Sequence, residues 1–161
     1  MKKWFLLSLV GALLVNCSNG QQSPRVSAEG KEVKVGYGQP SKRDRVIFGK
    51  LVPYGQVWRT GANEATEISF AKDTKFGGKA IKAGTYSLFT IPAENEWTII
   101  LNSELKQWGS YDYEKIKAKN VLEVTAPVKK LDKAVEKLTF RFEGGNMIIE
   151  WDTTQVQVKL G

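Results

Sequence analysis

Residues 83–102, AGTYSLFTIPAENEWTIILN, decide the fold. Thr85 to Ile91 starts directly after Gly84 and stops at Pro92, whose missing N–H ends a hydrogen-bonded ladder. Tyr86 and Leu88 share one face of that run, and Phe89 and Ile91 share the other, as in a core strand. After a polar break, Trp97, Ile99 and Leu101 alternate with Thr98 and Asn102. A repeat of two belongs to strands, and nothing here repeats with the helical period of 3.6.

The same period extends in both directions. Val33, Val35 and Tyr37 alternate with Glu32 and Lys34, and Arg45 to Phe48 makes a short second run. Gln56 to Thr60 and Glu64 to Phe70 flank a Gly61-Ala62-Asn63 turn. Leu122, Val124 and Ala126 face one way, as do Leu138, Phe140 and Phe142. Gly144-Gly145-Asn146 then turns the chain into Met147, Ile149 and Trp151, and a last run carries Val156, Val158 and Leu160. Only Ser103 to Trp108 and Asp112 to Lys117 have room for a helical turn. About nine or ten short strands with no crossover helices imply an all-β chain, an antiparallel β-sandwich or a jelly-roll-like barrel. Periodicity does not separate those two.

Composition narrows the chemistry. The 161 residues contain no His and a single Cys, Cys17. This excludes Ser-His-Asp and Cys-His catalysis, His-ligated metals and a disulfide within the chain. No metal site or cofactor is expected, since no Asp-rich loop has calcium-binding spacing. Met1-Lys2-Lys3 precedes a twelve-residue apolar stretch, Trp4 to Val15, interrupted only by Ser8 and Gly11. That is too short to span a bilayer, which takes about 20 residues, and suits a signal-peptide core. The stretch ends in Leu14-Val15-Asn16-Cys17, which resembles the lipobox of bacterial lipoproteins, although Asn16 replaces the usual small residue. Cys17 is thus the expected lipidation site, and the expected location is the cell envelope, with the protein exported and membrane-anchored. Ser18 is compatible with outer-membrane sorting in a two-membrane cell.

These features divide the chain into a signal peptide (1–16), a lipidated Cys with a flexible tether (17–31) and an all-β domain (32–161). The tether, SNGQQSPRVSAEGK, spans at most about 46 Å at roughly 3.3 Å per residue. The formal net charge of +7 falls to +5 once Lys2 and Lys3 are removed, so the domain favours anionic headgroups and glycan phosphates. Nucleic acid is not an expected partner, because no basic stripe interleaves with aromatics.

Two clusters carry candidate chemistry. In VWRTGANEATEI, residues 57–68, alternation puts Trp58 and Thr60 on one face, with Val57 and Arg59 on the other. Val52-Pro53-Tyr54-Gly55 before it suits a tight turn. Arg59 and Glu64 (or Glu67) can meet across a hairpin as a bidentate ion pair that sets register, with Asn63 closing the turn. The other reading is that Trp58, Arg59, Asn63 and Glu64 line a pocket for a sugar or a small anion. The second cluster, Trp108-Gly109-Ser110-Tyr111-Asp112-Tyr113, gathers three aromatics and a carboxylate around a Gly turn. Loop packing and a binding surface at the mouth of the β domain both fit it.

Beyond these clusters, YGQPSKRDRVIFGKLVPYGQVWRTGANEATEISF, GGKAIKAGTYSLFTIP, WTIILN, QWGSYDY and IIEWDTTQVQV are similar to the bacterial DUF 2911 family, a domain of unknown function. The resemblance covers about residues 33 to 160. It departs at Gln39 and Asp44, where members often carry Arg and Gly. It implies a secreted or envelope-anchored all-β protein and supplies no catalytic residue.

The expected function is therefore that of a lipid-anchored envelope protein with a non-catalytic ligand-binding or accessory module. Its candidate ligand-binding residues are Trp58, Arg59, Asn63, Glu64, Trp108, Tyr111 and Asp112, for an envelope glycan or a small anionic ligand. One alternative is a carboxylate-dependent hydrolase of envelope glycans, with a pair such as Glu64 and Asp112. Another is a structural lipoprotein that binds a protein partner.

Overall fold

The computed structural model describes residues 22–161, so the signal segment and Cys17 lie outside the described residues. Nine strands form, all paired antiparallel: β1 (Arg25–Gly30), β2 (Val33–Gly38), β3 (Thr66–Phe70), β4 (Thr74–Phe76), β5 (Lys79–Ile81), β6 (Gly84–Ile91), β7 (Glu96–Asn102), β8 (Asn120–Glu143) and β9 (Asn146–Lys159). Seven of them make one curled sheet, a half-barrel, in the order β1-β2-β3-β6-β7-β8-β9, and β4 and β5 form a small separate sheet.

Alternation predicts the core well. Val33, Val35, Tyr37, Ile68, Phe70, Leu88, Trp97, Ile99, Leu101, Leu122, Val124, Leu138, Phe140, Met147, Ile149, Trp151, Val156 and Val158 all pack into one concave cluster. The opposite parity of β6 and β7 supplies a second cluster of Phe89 and Ile100, with Ala65 and Tyr113. The chain between β7 and β8 covers it and holds a single helical turn, α1 (Tyr113–Ile116), followed by a 3₁₀ turn at Lys117–Lys119. Ser103 to Trp108 forms no helix. Asn102 anchors this cover, its amide donating to Ile116 O at 2.9 Å and Asn120 Oδ1 at 2.8 Å.

β8 joins into one bent strand the two runs that the sequence suggests. Its register on β9 shifts between Lys130 and Val135 and again before Thr139, with Asp152 at φ 53 on the facing strand. The bend lets its first part pair with β7 while its second part closes the curl. There Leu138 N–H donates to Pro40 O at 3.0 Å and Lys42 N–H to Glu136 O at 2.7 Å. Gln39 contributes to the closure by donating to Leu138 O at 3.1 Å. Asp44 sits at φ 58, a conformation that glycine adopts without cost.

Two sequence expectations fail locally. Residues 25–30, read as flexible tether, form β1, paired along its length from Arg25↔Gly38 to Gly30↔Val33. Their alternation is weak because β1 is half exposed and only Val26 and Ala28 touch the core. Residues 56–60 and 64–70 do not make a hairpin. Only Thr66–Phe70 is a strand, and Trp58 instead bridges Thr90 of β6, with N···O distances of 2.7 and 2.9 Å. The tight turn at Val52–Gly55 is likewise not closed on itself, since Gly55 N–H donates to Pro92 O at 2.9 Å.

Candidate functional site

Trp58 and Thr66 both lie against β6, and residues 59–65 make a closed excursion between them. Thr66 N–H donates to Arg59 O at 3.1 Å, and Thr66 Oγ1 donates to Thr60 O at 2.9 Å. Thr60 has φ 55, a left-handed conformation that costs a β-branched residue about 1–3 kcal/mol. It is held there fully buried, with Oγ1 3.0 Å from Thr90 Oγ1. The excursion also presses on β2: a Cβ added to Gly38 would lie 2.0 Å from Ala62 O. Only glycine at position 38 allows that backbone approach.

A second loop is paired with this excursion. Ala65 N–H donates to Gln107 O at 2.8 Å, Gly109 N–H donates to Asn63 O at 3.0 Å, and Glu64 and Trp108 form a bridge pair. Ser110 Oγ donates to Val57 O at 3.1 Å. The two clusters that sequence could only treat separately are therefore one surface. Trp108 and Tyr111 stand on it 60% and 79% exposed. Gly109 has φ 69, and a Cβ there would lie 2.7 Å from Tyr111 Cε2, so the ring of Tyr111 rests over the glycine backbone.

The expected residues divide into three groups. Trp108 and Tyr111 face solvent, and Asp112 sits beside them, its carboxylate bonded to Lys115 at 2.6 Å. That hydrogen bond raises the Lys115 amine above its ordinary pKa. Glu64 and Asn63 reach the surface but are engaged by the N-terminal segment, which the sequence reading set aside as tether. Arg25 Nη1 lies 3.7 Å from Glu64 Oε2, and Asn63 Nδ2 donates to Ser23 O at 3.2 Å. With Arg25 and Glu64 side chains 40% and 49% exposed, this pair contributes about 0–1 kcal/mol.

Trp58 belongs to the core. Its ring stacks on Trp151 at 6.0 Å and 14°, and meets Trp97 and Phe48 edge-on at 6.1 and 6.0 Å. A buried indole cannot be the wall of an open pocket, which corrects that part of the sequence reading. Arg59 does not pair with Glu64 or Glu67. Among the described residues it makes no ion pair, and its Nε is buried without a hydrogen-bond partner. Glu67 Oε1 accepts from Lys106 N–H at 3.1 Å instead.

Arg25 is the residue at this surface that sequence reasoning missed. Its position in β1 would have been visible only through the weak alternation of Val26 and Ala28.

The ion pair expected at Arg59 occurs elsewhere, on the β8–β9 hairpin. Arg141 grips Glu150 with two bonds, Nη2 to Oε1 at 2.8 Å and Nε to Oε2 at 3.2 Å, and Gln155 donates to the same Oε1. Glu150 is only 12% exposed, and the Arg141 guanidinium holds its carboxyl below the ordinary glutamate value against the opposing effect of burial. Clefts open away from the aromatic surface. One of about 410 Å³ lies at the far end of β1 and β2, lined by Gly30, Lys31, Glu32, Phe142, Gly145 and Asn146. Another of about 470 Å³ runs along Lys79, Thr98 and Glu123. Neither is lined by a candidate ligand-binding residue. Among the described residues, no group of three or more carboxylates or thiols is gathered to hold a metal, and no helix is long and apolar enough to cross a membrane.

Comparison with curated proteins and with solved structures gives no match. The sequence model of DUF2911, described as a protein of unknown function, matches residues 20–160, and the chain belongs to that family.

Proposed function

We propose that this chain is a lipid-anchored envelope protein whose β domain works as a non-catalytic binding module, with Trp108 and Tyr111 as its contact platform. The observation that carries the reading is the pair of exposed aromatics fixed by main-chain hydrogen bonds to the Asn63 loop. Exposed aromatic rings are costly in water and offer flat apolar faces, which suit the C–H faces of a sugar. Glu64, Arg25 and Asp112 beside them supply directional polar groups for hydroxyls or an anionic substituent. The ligand class is an envelope glycan.

Glycan-array binding, backed by thermal shift on the chain from residue 17 with Cys17→Ser, tests the platform. Trp108→Ala and Tyr111→Ala are expected to abolish binding and leave the melting midpoint within about a degree or two, as for surface substitutions. Full affinity in both variants would remove the platform from the reading. Anchoring is tested by the mass of the protein recovered from membranes, which should carry a diacylglycerol adduct on Cys17. The glycan-hydrolase alternative gains little: Glu64 and Asp112 are exposed and already paired with cations, whereas a glycosidase acid depends on a desolvated site.

A further inference from the structure

The connection between β2 and β3 contains SKRDRVIFGKLV, residues 41–52, in which four cationic side chains surround one acid and an apolar run. Its apolar residues split by side. Ile47 and Val52 are buried, and Phe48 packs on Trp97 at 5.0 Å, Trp58 at 6.0 Å and Trp151 at 6.3 Å. Val46 and Leu51 point the other way, 63% and 46% exposed, and Leu51 N–H donates to Val46 O at 3.3 Å. The exposed pair is thus held together on a loop nailed to the core.

Charge frames this tip. Arg45 is set by bonds to Ser41 O and Lys42 O at 2.6 and 2.9 Å, and the backbone N–H of Arg43 donates to Glu136 Oε1 at 2.9 Å. Among the described residues, Arg43, Arg45 and Lys50 form no ion pair with any carboxylate. The bend of β8, with exposed Lys133 and Lys137, lies alongside through the Ser41↔Lys137 bridge.

The first described residues run past the base of this loop, with Ser23 O bonded to Asn63. Gln39 N–H donates to Pro24 O at 2.8 Å, which puts Pro24 at the root of the loop. Seven residue steps lead from it back to Cys17, a reach of at most about 23 Å at roughly 3.3 Å per step. That is half the tether length expected when residues 25–30 were counted in it.

We propose that loop 41–52 is a membrane-contact surface that docks on anionic phospholipid headgroups. Val46 and Leu51 enter the headgroup region, and Arg43, Arg45 and Lys50 meet its phosphates. Apolar residues ringed by cations are the composition that binds at such an interface. The role of the anchor rests on the lipidation reading above, since a short tether holds this end of the domain against the bilayer. The docking surface itself does not require the lipid.

Sedimentation of the unlipidated chain (residue 17 onward, Cys17→Ser) with vesicles separates the two. Binding is expected to vesicles of mixed phosphatidylcholine and phosphatidylglycerol, to weaken with salt, and to be absent on phosphatidylcholine alone. Arg43→Gln/Lys50→Gln should reduce it about tenfold or more, and Val46→Ser/Leu51→Ser should reduce it with an unchanged melting midpoint. A charge-matched pair at the other end, Lys75→Gln/Lys159→Gln, should leave most of it. No binding to the anionic vesicles, or equal loss in the two charge pairs, overturns the proposal. An absent diacylglycerol adduct on Cys17 would instead defeat only the anchoring, leaving the vesicle result to stand.

Discussion

Arg59 and Arg141 look alike in the sequence, each a cation inside an alternating run with a glutamate close enough to pair across a turn. Arg141 finds Glu150 because β8 and β9 form a true hairpin, in which Thr139↔Glu150 and Arg141↔Ile148 make the two residues diagonal neighbours. Arg59 has no such hairpin. Thr60 turns the backbone left-handed immediately after it, and Ala62 then packs on Gly38. The difference teaches that a cross-strand ion pair is a property of the ladder. Without one, two complementary residues five positions apart do not meet.

The largest effect that can sharpen this comparison comes from the residue next to Arg59. Trp58→Ala empties the centre of an aromatic cluster and should cost about 3–5 kcal/mol. That is a fall of roughly 6–20 °C in the thermal midpoint for a domain of this size, at about 2–4 °C per kcal/mol. A near-native midpoint would mean that the indole is not core.

Next comes Gly38→Ala, expected to cost about 3 kcal/mol because the new methyl meets the Ala62 carbonyl. A silent substitution there would show that the excursion can move off β2, and would undo the explanation given for Arg59.

Glu150→Gln should cost about 1–2 kcal/mol, between the surface and buried limits for an ion pair. Its pH dependence is the sharper reading. The folded carboxyl lies below its unfolded value, so its stabilisation is present above the unfolded pKa, near the ordinary 4.5. It is lost as pH falls through the lower folded value. Acid unfolding of the wild type should therefore contain a component that the variant lacks, and parallel acid limbs would contradict the clasp.

The smallest effect is expected at the opening pair. Arg59→Met and Glu64→Gln should each change stability by less than about 0.5 kcal/mol, with a coupling near zero in the double-mutant cycle. Arg59→Met is more apt to stabilise, since it removes a buried donor that has no partner. A coupling above about 1 kcal/mol would restore the ion pair that the geometry denies.

The sheet was legible because burial on a strand has the shortest possible period. Val33 to Tyr37, Leu122 to Ala126 and Met147 to Trp151 each show their inward face in a few residues. The candidate site was legible in parts. Trp108, Tyr111 and Asp112 stood out as a cluster, and Asn63 and Glu64 as another, but nothing local revealed that Gly109 donates to the Asn63 carbonyl. Arg25 stayed hidden because β1 is an edge strand with half-exposed side chains, so its composition resembles a linker.

By itself the sequence determined the strand class, the inward face of nearly every run, the hairpin at Gly144-Gly145 and the absence of imidazole chemistry. Those follow from side-chain polarity at neighbouring positions and from composition, which need no knowledge of distant contacts. Tertiary structure alone decided that β8 bends to close the curl, that Trp58 turns into the core, that Glu64 faces Arg25, and that two loops share one aromatic surface. Each of those outcomes depends on packing and hydrogen bonds between segments far apart in the chain, whose free energies no local pattern encodes.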